Sequence, residues 1–122
     1  MDEEDIEKAE EILTDLNLIH LKDSHPMALS GGEKQRVAIA SAIASGKEIL
    51  IFDEPTSGLD LRNMMKVSDN LKYLQSIGIT SFIITHDYEL IMEACSHVLH
   101  FEDGKIIDNY KIDEGKLKEF FL

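Results

Sequence analysis

The segment Ile49-Leu50-Ile51-Phe52, running straight into Asp53-Glu54-Pro55, constrains the fold more than any other part of the chain. Four apolar residues without a polar break read as a short strand buried on both faces, as in parallel sheets covered by helices. Two carboxylates follow at the C-terminal end of that strand, the edge where α/β folds bind ligands. A second run of the same kind, Ile79 to Thr85 (ITSFIIT), lies beyond the stretch Asp60 to Ser76, in which Met64, Val67, Leu71 and Leu74 recur at helical spacing. Strand, helix and strand of these lengths predict a parallel, right-handed βαβ unit.

The flanking segments add helices and a hairpin. Glu4 to Leu18 places Ile6, Ala9, Leu13 and Leu16 on one helical face and acids on the other. His20 to Leu29 reads as a loop broken by Pro26. A helix starts at the N-cap Ser30 and runs through Arg36, Val37, Ile39, Ala42 and Ile43 to an end at Ser45-Gly46-Lys47; its small apolar middle predicts burial. Tyr88 to about Cys95 is helical, and Val98 to Phe101 and Lys105 to Tyr110 flank Asp103-Gly104, a hairpin turn signal. The tail, Asp113 to Leu122, reads as a short helix with apolar Leu117, Phe120 and Phe121. The expectation is an α/β fold with a helical front.

Composition narrows the function classes. The 122 residues hold 24 acidic and 12 basic side chains, a net charge of -12. That balance disfavours a nucleic-acid surface, because phosphate backbones are bound mainly by Lys and Arg. Residues 2 to 15 carry eight acids and one lysine, which reads as a solvated helix face. No apolar run approaches the roughly 20 residues that cross a bilayer, and the start MDEEDIEKAEEI lacks the basic and apolar regions of a secretory signal. Cys95 is the single cysteine, so no internal disulfide or cysteine zinc cluster forms, which fits a reducing compartment.

Three motifs carry candidate chemistry. Asp53 and Glu54 have the chemistry to hold a divalent cation and to act as general base, or they simply close a strand with an acidic turn. In Leu29-Ser30-Gly31-Gly32-Glu33-Lys34-Gln35-Arg36 a Ser and two Gly at a helix start leave backbone N–H groups uncovered, which suits an anion such as phosphate. An ordinary capped helix would carry the same residues. Thr85-His86-Asp87, at the end of the second strand, places a His over the same sheet edge as the two acids; a structural His is the alternative.

Taken together and in this order, LSGGEKQR, ILIFDEP, Thr56-Ser57-Gly58-Leu59-Asp60 and ITHD resemble the ATP-binding cassette (ABC) ATPases over nearly the whole chain, from about Leu13 to Gly104. The resemblance implies a partial P-loop NTPase fold, with residues 1–47 as part of the helical signature subdomain. Residues 48–122 would be the C-terminal part of the α/β core, a mainly parallel sheet with a C-terminal β-hairpin. It implies ATP and Mg²⁺ as ligands, bound at a dimer interface with a second ATPase subunit. Ser30, Gly31, Gly32 and Glu33 would be the signature facing the γ-phosphate on the opposite subunit. Asp53 would order the Mg²⁺ shell, Glu54 would polarise the attacking water, Asp60 would be the D-loop acid, and His86 the switch histidine. Transmembrane subunits are the implied partners, and the cytoplasmic face of the membrane the implied location. From Asp60 to Tyr110 the chain looks most like the cassettes of energy-coupling-factor importers.

The family's phosphate-cradling motif is absent from the sequence, as are the aromatic adenine platform and the glutamine loop that precede the signature. Cassettes need G-x-x-x-x-G-K-[ST] to cradle the phosphates. Gly46-Lys47 does not supply it, since Ser41 stands where the first Gly belongs and Glu48 follows the Lys. The chain therefore looks like the C-terminal portion of a cassette, and two functions stay open: part of an ATPase that drives membrane transport, or a non-catalytic module unable to bind ATP alone. In the family's sheet order the missing strand lies between those read at Ile79–Thr85 and Val98–Phe101. The gap is expected to close by direct pairing of these two or through a second copy.

Overall fold

The computed structural model describes residues 2–121. Nine regular elements follow in chain order: α1 (Glu3–Asp15), α2 (Gly31–Ala44), β1 (Ile49–Asp53), α3 (Leu61–Ser76), β2 (Thr80–Ile84), α4 (Tyr88–Ala94), β3 (His97–Glu102), β4 (Lys105–Lys111) and α5 (Glu114–Phe121). Single 3₁₀ turns at Ile19–Leu21 and Pro26–Ala28 occupy the expected loop. The residues group into two units, Met1–Ile51 with Tyr73–Phe82, and Phe52–Lys72 with Ile83–Leu122.

In the first unit α1 packs on α2. Asp2 caps α1 by accepting from the Asp5 N–H at 2.8 Å, and acids fill the first turn, where they complement the helix dipole. The helix stops at Asp15, three residues before the expected Leu18, because Asn17 adopts φ 56° and the Leu18 N–H turns back to the Leu13 carbonyl. Leu16 and Leu18 are then buried beside the chain reversal while Ile6 stays exposed, so the apolar face narrows toward the start of α1. Of α2 only Ile39 and Ala40 are buried, and Val37 is exposed. The burial expected of its middle is confined to these two residues. Small residues make a helix that tolerates close neighbours but do not supply them.

The Thr80 N–H donates to the Glu48 carbonyl at one end of β1 and β2, and the Glu54 N–H donates to the Ile84 carbonyl at the other. Both bonds advance along the chains in the same direction, so the strands are parallel, as expected. Burial of both faces is corrected: Ile49 is 60%, Ile51 71%, Phe82 48% and Ile84 55% exposed. The alternation leaves one side of each strand half-buried and the other open. An unbroken apolar run tells what a strand tolerates on each face, not what is there to cover it.

In the second unit Met64, Val67 and Leu71 of α3 are buried, and so is Leu74 where the helix continues into the first. Ile91, Val98 and Leu117 form a core cluster edged by Tyr88, Met92, Cys95, Tyr110, Ile112 and Phe121. β3 and β4 pair antiparallel around Asp103 (φ 51°) and Gly104 (φ 75°), the two positive values that a type I′ turn requires. A bulge follows His100. Among the described residues the four strands form two sheets of two, β1–β2 and β3–β4, and the direct pairing expected between the second and third strands is not made. The tail helix expected through Leu122 is α5, in which Leu117 is buried and Phe120 exposed; Leu122 lies outside the described residues.

Candidate functional site

Ser30 begins α2 with a full capping box. Its Oγ accepts from the Glu33 N–H at 3.1 Å, and Glu33 Oε1 accepts from the Ser30 N–H at 2.8 Å. The Ser30 backbone bond is the main reason that the Glu33 carboxyl is held below its ordinary pKa. A hydroxyl that accepts at a cap still has its own proton to give. Gly31 and Gly32 occupy the first two helical positions, whose N–H groups have no intrahelical acceptor. A Cβ at Gly31 would meet nothing within 4 Å, so its backbone is uncovered. The start of α2 therefore offers one hydroxyl and two free N–H donors, the donor set that suits a phosphate. Lys47 does not extend this set: Gly46 (φ 73°) and Lys47 close the C-terminus of α2, where the dipole favours cations.

The remaining candidates lie in the second unit. Asp53 is exposed at the end of β1, and among the described residues nothing hydrogen-bonds its carboxylate. No group of three or more His, Cys, Asp or Glu among the described residues forms a metal cage. Mg²⁺ is commonly held by one or two carboxylates with substrate phosphates and water, so a single unpaired acid at a strand end fits it.

Glu54 adopts φ 48°, in the left-handed region that a non-Gly residue enters only when its surroundings impose it. Its N–H is fixed to the Ile84 carbonyl at 2.7 Å, and its own carbonyl accepts from the Ser57 N–H. The side chain lies with Oε1 2.8 Å from Nδ1 of His86. A carboxylate only accepts, so Nδ1 carries the proton of this bond. The His86 side chain is 90% exposed and that of Glu54 36%, so both remain accessible.

Asp60 is exposed and caps α3, with Oδ1 accepting from the Asn63 N–H at 2.9 Å. Thus Glu54 and His86 are brought into contact, Asp53 adjoins Glu54 in sequence, and Asp60 is engaged at a helix start. Ser30, Gly31, Gly32 and Glu33 belong to the other unit.

Sequence reasoning passed over Thr56 and the side chain of Asp87. Thr56 is 5% exposed and donates from Oγ1 to Asp87 Oδ2 at 2.7 Å. Asp87 Oδ1 caps α4 by accepting from the Leu90 N–H, and the Asp87 N–H donates to Thr85 Oγ1. The one signal available was an Asp directly before a helical run, a usual N-cap.

Known proteins resemble the chain in sequence and in fold. Residues 2–57 match the family model described as ABC transporter. The arginine transport ATP-binding protein ArtM of Bacillus subtilis is 40% identical over 116 residues, covering 95% of this chain and 46% of that protein. The methionine import ATP-binding protein MetN of Lactococcus lactis is 44% identical over 103 residues, covering 84% of this chain and 28% of that one. Among solved structures, the ADP conformation of MJ1267, an ATP-binding cassette of an ABC transporter, matches with a TM-score of 0.84 at 30% identity. It covers 99% of this chain and 47% of MJ1267. CbiO1 from Clostridium perfringens, part of the ABC transporter complex cbiONQ, matches at 0.79 and 35% identity over 98% of this chain and 48% of CbiO1. The chain thus spans about half the length of these structures and less than half of the two transport proteins. No described helix is long and apolar enough to cross a membrane. In sequence and in fold, the chain is homologous to the ATP-binding subunits of ABC transporters and carries part of their α/β ATPase fold.

Proposed function

We propose that this chain supplies the catalytic carboxylate, switch histidine and signature helix of an ABC ATP-binding subunit that hydrolyses Mg·ATP at a dimer interface to power membrane transport. The observation that carries this reading is the Glu54–His86 contact at the end of a parallel strand pair, with Glu54 held in a strained backbone conformation. Asp53 would hold Mg²⁺, which neutralises charge on the transferred phosphoryl group. Glu54 orients and polarises the attacking water with the carboxylate oxygens left to it. When protonated, His86 gives Nδ1–H to Glu54 and Nε2–H to a phosphate oxygen. The Ser30 hydroxyl and the Gly31 and Gly32 N–H groups receive the γ-phosphate of a nucleotide on the opposite subunit. Glu33 holds Ser30 in place, and Asp60 faces the interface.

On this reading residues 1–47 belong to the helical subdomain and residues 48–122 to the α/β core. Transmembrane subunits are the partners, and the protein works at the cytoplasmic face of the membrane. The finer reading, an importer of the energy-coupling-factor type, rests on the run from Asp60 to Tyr110. A second reading, that the 122 residues alone bind no ATP, is favoured by Gly46-Lys47 closing a helix instead of opening one.

Phosphate release by the full-length protein with its membrane partner tests the main reading. Glu54→Gln is expected to lower turnover by about 10² to 10⁴ while ATP still binds. Undiminished turnover would overturn it. Calorimetry of the 122-residue chain with Mg·ATP at millimolar concentration tests the second, which expects no heat of binding.

A further inference from the structure

The Glu54–His86 bond is exposed, and exposed pairs hold geometry poorly because water competes for both partners. The backbone bond from the Glu54 N–H to the Ile84 carbonyl joins the two turns at the main chain, and a side-chain link adds to it. Thr56 is two residues after Glu54, and Asp87 directly follows His86. Their bond, at 2.7 Å, is part-buried, with the donor residue Thr56 only 5% exposed. Each end is further fixed. Asp87 is pinned through its N–H to Thr85 Oγ1 and through Oδ1 to the Leu90 N–H, while the Leu59 N–H donates to the Thr56 carbonyl. Buried hydrogen bonds in such networks rigidify what they join.

We propose that Thr56 is a positioning residue, whose buried hydroxyl on Asp87 locks the turn carrying Glu54 to the turn carrying His86 and so keeps that pair in contact. The role of the pair in ATP hydrolysis rests on the function proposed above. The lock itself is a property of the chain.

Histidine-selective ¹⁵N NMR of the 122-residue chain reads the lock directly. At about pH 8.5, above the usual imidazole range, His86 should show a proton fixed on Nδ1. Thr56→Val keeps the shape and loses the hydroxyl; it is expected to release His86 to a mixture of tautomers. Thr56→Ser should retain the wild-type signature. A fixed Nδ1 proton in Thr56→Val overturns the proposal, as does equal loss in Thr56→Val and Thr56→Ser, which would make the methyl group the cause. Should Thr56→Val fail to fold, Asp87→Ser keeps a cap for α4 while falling short of Thr56. It must then release His86 too, and an unchanged His86 overturns the lock.

In the full-length protein Thr56→Val should lower kcat at least about tenfold, as misplaced groups do, with KM for ATP held within about twofold. Thr56→Ser should return near wild type, and unchanged kcat in Thr56→Val would refute the catalytic consequence. Glu54→Gln run in parallel separates the two ideas: if it leaves turnover intact, the hydrolysis reading fails and the NMR result alone decides the lock.

Discussion

Ser30 and Glu33 satisfy each other across the first turn of α2, each backbone N–H donating to the other's side chain, at 2.8 and 3.1 Å. The Glu33 carboxylate therefore serves its own helix, and the Ser30 side chain is engaged at the helix start. Because the folded-state pKa of Glu33 is depressed, its contribution to the helix start is present above the ordinary carboxylate value of 4.5. The contribution is lost as pH falls through the lower folded value. The Ser30 amide resonance is expected to move with a midpoint below 4.5, and Glu33→Gln should abolish that transition. A midpoint at or above the ordinary value would contradict the box.

Leu117 is fully buried in the cluster with Ile91 and Val98, and it is the one buried residue of α5. Leu117→Ala is expected to cost about 2–5 kcal/mol by transfer and cavity terms. Chemical denaturation should show the loss, and amide exchange should show it concentrated in α4, α5 and the β3–β4 hairpin. Phe120→Ala, at an exposed position of the same helix, should cost far less.

Cys95 closes α4 and packs against the same cluster, and burial pushes its thiol above the usual range. The thiolate is the reactive form, so little is present near neutrality. Alkylation of the native chain at about pH 7.5 should run well below the rate of a free thiol and reach that rate on unfolding. Rapid native labelling would show that the α4–α5 packing opens readily.

At Gly104 a Cβ would meet no atom within 4 Å, yet φ is 75°. Gly104→Val should therefore destabilise the hairpin through backbone strain alone, by about 1–2 kcal/mol, with no steric clash to relieve. Gly104→Asn should cost less, since Asn enters the left-handed region more readily. Thermal melts of the two variants check the order.

Element order was legible from periodicity, because α3 keeps Met64, Val67, Leu71 and Leu74 on one face and Asp103-Gly104 can hardly be anything but a tight turn. Burial was not. The open faces at Ile51 and Phe82 depend on what lies against the strands, which no local pattern encodes. The site divides the same way. Asp53, Glu54, His86 and the SGG helix start were visible as residue types at strand and helix ends. The contact of Glu54 with His86, 32 residues apart, and of Thr56 with Asp87, 31 apart, arises only when two turns are folded against each other.

The exposed isoleucines of β1 and β2 have a consequence for how the chain behaves in solution. In a sheet of two strands every strand is an edge, with main-chain groups ready to receive a neighbour. What opposes such contacts is charge, a surplus of twelve negative groups on each molecule. Their repulsion reaches about 10 Å at 0.1 M salt and about 3 Å at 1 M. Ionic strength then becomes the variable that decides between dispersed molecules and β-paired assemblies. Concentrated salt should convert the first into the second, and dilution should reverse it while the strands keep their fold.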